Sequence, residues 1–395
     1  MGTNLKSDRG RGLIEKLQAF LKDKRKQRIL GGILICIGLI AMFNIINDDV
    51  NPEDVDTGAT LRGHGVKIGI VLAEGGKGDK SFNDSAVIGL EKAKKELGIT
   101  YKDIEILDNS QNRISLEFLA KEKCDLVIGV GYLIRDYLKE TALKYPNINF
   151  VLIDSAYEDE TPSNVCSMIF KDNEGSYLAG VLAAGTSKTK KVGFIGGMES
   201  PLIQRFEGGY KAGVESIPGV QLYTSYVATD GSGFNNLDRG REITFDFISK
   251  GVDVVYHVAG TTGQGVFDAA AQKGIKAIGV DSNQNWIKPG VVMASMLKRV
   301  DVAVYEACES VVDGTFKGGR TRVFGLSDDG VGLTDLNDLT TEETEGISKV
   351  DQAKIQKLKD SIPEKVKKNV LKAKEGIISG EIEVPDWLET GKPKS

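Results

Sequence analysis

The sequence is poor in the residues that build metal and redox sites. Its 395 residues include only four cysteines, two histidines and two tryptophans. The cysteines are scattered without a CxxC pair, which argues against both a disulfide framework and a zinc site. Two histidines are too few for a His-rich metal site, and no dense carboxylate or histidine cluster indicates hydrolysis. We therefore expect no metal, no other cofactor and no catalytic residue, so that the protein is not an enzyme.

Motifs for nucleotide chemistry are also missing. GGKGDKS (75–81) lacks the Walker spacing, GVGYLI (129–134) is not GxGxxG, and GxSxG does not occur. The 51 basic and 56 acidic side chains give a net charge of -5 at pH 7. This balance argues against a protein that binds nucleic acid, which usually carries a basic face.

Positive charge is concentrated at the N-terminus. Residues 1–28 hold nine basic and three acidic side chains, and residues 29–46 hold no charged side chain. As a helix, residues 29–46 would be about 27 Å long, close to the thickness of the hydrocarbon core of a bilayer. The basic flank predicts that residues 1–28 stay in the cytoplasm and that the rest of the chain lies outside.

The apolar segment can be a lasting anchor or a cleaved signal peptide. Its length, and the lack of a small-x-small cleavage site in NDDVNPEDVD (47–56), favour an uncleaved transmembrane anchor. Cys36 lies in the middle of the run behind Leu34 and Ile35, which does not fit a lipid anchor. The sequence therefore predicts a single-pass protein of the cell membrane, in which residues 47–65 form a polar tether to an extracytoplasmic domain.

From Val66 onward, short apolar runs alternate with helical patterns. The runs are almost continuously apolar, as in parallel strands that are buried on both faces. This alternation predicts an α/β fold with doubly wound parallel sheets, and ten strands suit two lobes. The predicted strands span 66–73, 102–108, 125–130, 148–154, 165–170, 191–197, 220–228, 252–260, 275–281 and 290–296.

Ligands of doubly wound folds bind beyond the carboxyl ends of the strands. The loops at these ends are therefore the candidate site. They are EGGKGDKSFND (74–84), DSAYEDE (154–160), ATDGSGFNN (228–236), GTTGQG (260–265), DSNQNW (281–286) and LKRVD (297–301).

The motifs in and around these loops resemble the basic membrane protein family, also called purine nucleoside receptor A-like proteins, over roughly residues 66–385. This resemblance implies a substrate-binding protein of an ABC transporter with a type I periplasmic-binding-protein fold. It places the first lobe at 66–171 and 299–320 and the second at 172–298 and 321–385, joined by a hinge. The motifs are GDKSFND (78–84), FVLIDS (150–155), EGSYLAGVLAA (174–184), GFIGGMESPLIQRFEGGYKAG (193–213), AGTTGQGV (259–266), GVDSNQ (279–284), SMLKRVDVAVYEA (295–307) and ISGEIEVP (378–385), which resembles a closing strand.

The resemblance further implies that a purine nucleoside, such as inosine or guanosine, binds in the cleft and passes to an ABC permease. Phe82 and Phe234 would stack on the base, and Asn83 and Asp154 would bind its polar edge. The ribose would be surrounded by Gly260, Asp281 and Lys298. Two features depart from the family: Ala73 replaces a frequent Asp, and the lipid-anchoring motif is missing.

These residue types suit a purine on physical grounds, because aromatic rings stack on bases and an ionised carboxylate requires a donor. Simpler interpretations remain open. Phe82 could belong to the core, Asn83 and Asp154 could cap helices, and Asp281 and Lys298 could form a surface pair. Arg205 is expected to be solvated. A ligand-sensing receptor, or a protein for another small polar ligand, is the alternative function.

Overall fold

The computed structural model describes residues 61–393, which fold into two α/β lobes. Each lobe is built on one six-stranded sheet. In chain order the strands are β1 (Lys67–Val71), β2 (Thr100–Ile104), β3 (Leu126–Val130), β4 (Asn149–Ile153), β5 (Val165–Phe170), β6 (Lys191–Met198), β7 (Gln221–Ala228), β8 (Val254–Val258), β9 (Lys276–Asp281), β10 (Val292–Lys298), β11 (Arg320–Phe324) and β12 (Val331–Leu333).

The order of the first sheet is β11-β5-β4-β3-β1-β2, and all its pairs are parallel. The order of the second sheet is β12-β10-β9-β8-β6-β7, in which only β12 runs antiparallel to its neighbour. The two lobes of parallel strands that the sequence predicts are thus confirmed.

Helices cover both faces of each sheet and bury the apolar strands. They are α1 (Phe82–Leu97), α2 (Asn112–Lys121), α3 (Arg135–Lys144), α4 (Asp172–Thr186), α5 (Pro201–Glu215), α6 (Leu237–Ser249), α7 (Thr262–Lys273), α8 (Val300–Val312), α9 (Thr341–Thr344), α10 (Lys349–Asp360), α11 (Glu364–Ser379) and α12 (Trp387–Thr390). In the first lobe, α1 and α8 pack on one face and α2 and α3 on the other; in the second, α4 and α5 pack opposite α6 and α7.

The helix α1 shows how the local sequence produces an element. Ala86, Leu90, Ala93 and Leu97 recur on one side and are all buried. The helix ends at Gly98, which adopts a left-handed conformation with φ 82° and donates its N–H to Lys94. This face packs on the first sheet, so that the N-terminus of α1 lies at the carboxyl end of β1.

The elements differ from the sequence prediction in two respects. The prediction lacks the strands β11 and β12, of which β11 pairs with β5 in the first sheet and β12 with β10 in the second. The closing strand expected at 378–385 does not form, because α11 continues to Ser379 and Gly380 ends it in a left-handed conformation. Residues 381–385 that follow are irregular.

The chain crosses between the lobes three times. The crossings lie between β5 and α4, between β10 and α8, and between β11 and β12. Lys298 and Asp172 stand at the first two of these connections, beside the cleft. Within 61–393, no helix is both long and apolar enough to cross a membrane. The predicted anchor at 29–46, the basic segment at 1–28 and most of the tether lie outside the described residues.

Candidate ligand-binding site

A cavity between the lobes collects the candidate residues at the carboxyl ends of the strands. The space among its lining side chains is about 860 Å³, including part of the open solvent at its mouth. All seven residues predicted from the sequence line it: Phe82, Asn83, Asp154, Phe234, Gly260, Asp281 and Lys298.

The two aromatic residues come from opposite lobes. Phe82 is the first residue of α1, and Phe234 ends a short turn, Gly231–Phe234, that follows β7. Thr262 holds this turn, since its hydroxyl donates to the carbonyl oxygen of Gly233 over 2.7 Å. Gly233 must lack a side chain, because a Cβ there would lie 1.9 Å from the carbonyl oxygen of Gly197. Both phenylalanine rings are half-buried and contribute to the cavity wall.

The side chain of Asn83 faces the cavity with a defined orientation. Its Oδ1 accepts the backbone N–H of Ala73 over 2.9 Å, which leaves the amide Nδ2 as a donor. The start of α1 is capped by Asp79, whose carboxylate accepts the N–H groups of Ser81, Asn83 and Asp84. Burial raises the pKa of Asp79 to about 6. The interpretation of Asn83 as a helix cap is therefore wrong.

Lys298 forms the centre of a buried ion cluster. Its Nζ lies 2.5 Å from Oδ1 of Asp154 and 3.2 Å from Oδ1 of Asp172. Lys298 is 1% exposed, and its Nζ also lies 5.2 Å from the ring centroid of Phe82. Burial opposes the charge of Lys298, but the neighbouring carboxylates of Asp154, Asp172 and Asp281 raise its pKa above the ordinary value. The amine is therefore charged at neutral pH. It pairs with the buried Asp154, so the alternative of a surface pair with Asp281 is wrong.

Burial acts on the carboxylates of this cluster as well as on the amine. Burial raises the pKa of Asp154 and Asp281, although the charge of Lys298 counteracts the shift. Burial also raises the pKa of Asp172 to about 7. The charge of Lys298 opposes this shift, and the charge of Asp154 adds to it. Asp172 lies behind the cluster and does not line the cavity. Asp172 could not be recognised from the sequence, because an aspartate in the first turn of a helix is an ordinary feature.

The sequence predicts a solvated Arg205, and this prediction is wrong because the side chain is buried. It binds Asp386 through Nε at 2.9 Å and Nη2 at 2.5 Å, and it donates to the carbonyl oxygen of Phe170 over 2.7 Å. Asp386 lies 181 positions further along the chain, so no local pattern could have indicated this pair. The ring of Phe170 contacts Lys298, and Arg205 thereby supports the ion cluster from behind.

Asp154 and Asp281 occupy equivalent places in the two lobes. Each follows an apolar stretch of a central strand, precedes a serine, and adopts a left-handed conformation, with φ 70° at Asp154 and 65° at Asp281. Aspartate is one of the few residues other than glycine that tolerate this conformation. Gly260 is also left-handed, with φ 52°, and lies against Phe234. These turns direct polar groups of both lobes into one cavity.

The first lobe also contributes Glu74, Asn109 and Asn112 to the lining, and none of them is among the predicted ligand-binding residues. Ala73 lines the cavity where the family often has Asp, and Glu74 lines it next to Ala73. Oε1 of Glu74 accepts the side-chain amide of Asn109 over 2.8 Å. Asn109 in turn accepts the amide of Asn112 over 3.2 Å. Glu74 therefore supplies a carboxylate to this part of the lining, which Ala73 does not.

The rest of the lining is mostly apolar. A flat aromatic molecule with polar edges fits this combination of apolar surface and few convergent polar groups. Among residues 61–393, no group of three or more His, Cys, Asp or Glu side chains is arranged to hold a metal ion. The apolar and aromatic lining residues are Ile106, Val130, Tyr132, Leu133, Ile134, Met198, Leu202, Ile203, Phe206, Val258 and Ala259.

Comparison with known proteins agrees with this geometry. Residues 66–386 match the sequence model of the Bmp family, described as PnrA-like ABC transporter substrate-binding proteins. The CD4+ T-cell-stimulating antigen of Listeria innocua is 35% identical over 341 residues, which cover 80% of this chain and 93% of the relative. The ABC transporter nucleoside-binding protein BmpA of Lactococcus lactis is 34% identical over 347 residues, which cover 81% of this chain and 89% of the relative.

A solved structure shares the arrangement of the two lobes. The solute-binding protein of an ABC transporter system from Aeropyrum pernix is 30% identical, with a TM-score of 0.71. The match covers 82% of this chain and 98% of that chain.

Proposed function

The chain belongs to the family of PnrA-like ABC transporter substrate-binding proteins, and from that premise we propose that it captures a purine nucleoside between its lobes and delivers it to an ABC permease. The observation that carries this proposal is that Phe82 from the first lobe and Phe234 from the second line the same cavity. Two rings that face one ligand from two lobes would stack on both sides of a base and favour closure.

The polar groups support a base with a donor at its edge. Asn83 offers a donor because its oxygen is occupied by Ala73. Asp154 pairs with Lys298 through Oδ1 at 2.5 Å, and its carboxylate lines the cavity. A 6-oxopurine matches both groups, since its O6 or N7 accepts from Asn83 and its N1–H donates to Asp154. Inosine and guanosine carry this pattern, whereas adenosine has no N1–H.

We place the sugar near the second lobe. Gly260 has no side chain and allows a close approach to the backbone. Asp281 can accept from a ribose hydroxyl, and Lys298 can donate to one. The apolar lining excludes water around the base, which strengthens these polar contacts.

We further propose that residues 29–46 keep the protein in the cell membrane, with the lobes outside the cell. An uncharged segment of this length behind a basic flank favours such an anchor. Intact-mass analysis of protein from the membrane fraction tests it. A mass that includes Met1 or starts at Gly2 supports the anchor, and a start near residue 47 or a lipid on Cys36 contradicts it.

Two experiments test the transport function. Mass spectrometry identifies the small molecule that remains bound after gentle purification of the full-length protein, and we expect a purine nucleoside. Co-purification from cross-linked membranes should recover a permease and an ATPase. Retention of a different ligand contradicts the ligand assignment, while recovery of a signalling partner instead of a permease favours the sensor alternative.

A further inference from the structure

The two lobes contact each other beside the cavity through two short segments. Ser81, immediately before α1, donates its hydroxyl to Oδ2 of Asp281. The hydroxyl of Ser282 donates to the carbonyl oxygen of Ser81 over 3.2 Å, and Nε2 of Gln284 donates to the carbonyl oxygen of Lys80 over 2.8 Å. We call Lys80, Ser81, Asp281, Ser282 and Gln284 the latch. Within it only Asp281 lines the cavity.

The first-lobe side of the latch has an unusual backbone conformation. Lys80 is left-handed with φ 54°, which is uncommon for a lysine, and Ser81 has φ -148° and ψ -123°. Two neighbouring carboxylates hold this turn. Asp84 accepts the N–H of Lys80 over 2.9 Å, and Asp79 accepts the N–H of Ser81 over 2.9 Å. Residues in such sparsely populated conformations persist where the surroundings fix them, and they concentrate at functional sites.

The second-lobe side is equally fixed. Oε1 of Gln284 accepts the N–H of Val280 over 2.9 Å and faces Nε2 of His257 at 3.1 Å. Burial lowers the pKa of His257 to about 4, so the ring is neutral. Because Oε1 of Gln284 can only accept, Nε2 of His257 carries the proton and donates to it. These two donors fix the position of Oε1, and Nε2 of the same side chain is thereby directed across the cleft to the carbonyl oxygen of Lys80.

Resting on the proposed function, in which Asp281 accepts a ribose hydroxyl, we propose that Ser81 is a positioning residue that makes sugar recognition depend on closure of the lobes. The hydroxyl of Ser81 occupies Oδ2 of Asp281, which fixes the rotation of the carboxylate and leaves Oδ1 for the ligand. Ser81 belongs to the first lobe, and Asp281 to the second. The carboxylate is therefore held in this position only when the two lobes are together.

A comparison of Ser81 with Ser282 distinguishes the orientation of Asp281 from the closure of the lobes. Ser282 contributes one hydrogen bond between the lobes and does not contact Asp281 through its hydroxyl. Ser81 contributes a bond between the lobes and also orients Asp281. Loss of Ser282 should weaken every ligand alike, whereas loss of Ser81 should weaken a sugar-bearing ligand most. Ser155, which follows Asp154 as Ser282 follows Asp281, forms no hydroxyl hydrogen bond among the described residues and provides a matched control.

The test compares inosine with the free base hypoxanthine by calorimetry on full-length protein. For Ser282→Ala we expect an equal loss of affinity for both ligands, about two- to tenfold, the usual range for one hydrogen bond. For Ser81→Ala we expect the loss for inosine to exceed the loss for hypoxanthine by about fivefold, and for Ser155→Ala no loss. Equal losses for the two ligands in Ser81→Ala, or no loss, overturn the positioning role.

A second measurement does not depend on the nucleoside. Hydrogen–deuterium exchange of the segment 280–285 should be faster in Ser81→Ala than in the wild type and unchanged in Ser155→Ala. If the wild type binds neither inosine nor hypoxanthine, the proposed function fails and sugar recognition fails with it, and exchange decides only whether Ser81 holds the segment that carries Asp281. Equal exchange in Ser81→Ala and the wild type then overturns this role of Ser81.

Discussion

Lys298 at the end of β10 and Asp154 just beyond β4 lie with Nζ and Oδ1 2.5 Å apart, so that an ion pair joins the two lobes at the floor of the cleft. Both side chains are buried, with exposed fractions of 1% and 6%. Removing one partner of such a pair leaves an uncompensated buried charge, which is costly. Ligand recognition and the connection between the lobes therefore share the same residues.

The carboxylate of Asp154 should select 6-oxopurines. We expect inosine to bind at least about tenfold more tightly than adenosine. Adenosine would leave the buried carboxylate without a donor, which costs about 1–3 kcal/mol. Asp154→Asn should reduce this ratio, since an amide can also donate. Calorimetry with both nucleosides measures it.

Asp172→Asn is the matched control for this substitution. Asp172 also contacts Lys298 but does not line the cavity. The affinities of this variant can change, but its ratio between inosine and adenosine should stay as in the wild type. Equal affinity of the wild type for the two nucleosides would mean that Asp154 does not face the base edge.

The aromatic residues should contribute to the affinity for all purine nucleosides without discriminating between the bases. Phe82→Ala and Phe234→Ala should each weaken inosine, guanosine and adenosine by a similar factor, about fivefold to a hundredfold for 1–3 kcal/mol of stacking. Phe118, which is half-buried in α2 outside the cavity lining, provides the control Phe118→Ala. Normal binding by Phe234→Ala, measured by equilibrium dialysis, would place the base elsewhere.

The cavity should reject anionic ligands. Its charged lining residues are Glu74, Asp79, Asp154 and Asp281 against the single cation Lys298. A phosphate on the ribose would add negative charge to a wall in which carboxylates outnumber the amine, and like charges repel. We expect inosine 5′-monophosphate to bind at least about tenfold more weakly than inosine in a competition assay. Tighter binding of the nucleotide would contradict this electrostatic account.

Asp172 should make the stability of the domain depend on pH. Burial raises its pKa to about 7 from an ordinary 3.8, so the protonated form favours the folded state. This contribution is fully present below about pH 4 and is lost as the pH rises through 7. The amide in Asp172→Asn cannot titrate, and the free energy of unfolding of this variant relative to the wild type should rise by about 2–3 kcal/mol between pH 5 and 8. Urea unfolding at several pH values measures this difference, and a constant difference would show that Asp172 does not titrate in this window.

Much of the fold was predictable because its signals are local. The strands buried on both faces, such as β4 with Phe150, Val151, Leu152 and Ile153 fully buried, are continuous apolar runs in the sequence. The helix α1 is visible from its apolar stripe and from Gly98. The strands β11 and β12 escaped prediction for the opposite reason. β11 is an edge strand in which Arg320, Thr321 and Val323 are exposed, and β12 has only three residues.

The site was predictable in membership but not in its internal contacts. All seven residues line the cavity because they follow strands of parallel sheets, whose carboxyl ends meet at one edge. Their partners come from distant parts of the chain, as with Ser81 and Asp281, which are 200 positions apart. Such pairs depend on how the two lobes come together, and no pattern of spacing within a loop specifies this.

The most direct test of the central claim is a crystal structure of the protein grown with inosine. We predict density for the base between the rings of Phe82 and Phe234, its edge at Asn83 and Asp154, and the ribose at Gly260, Asp281 and Lys298. A base bound away from the two rings, or a cavity that stays without nucleoside at saturating inosine, would contradict the proposed function.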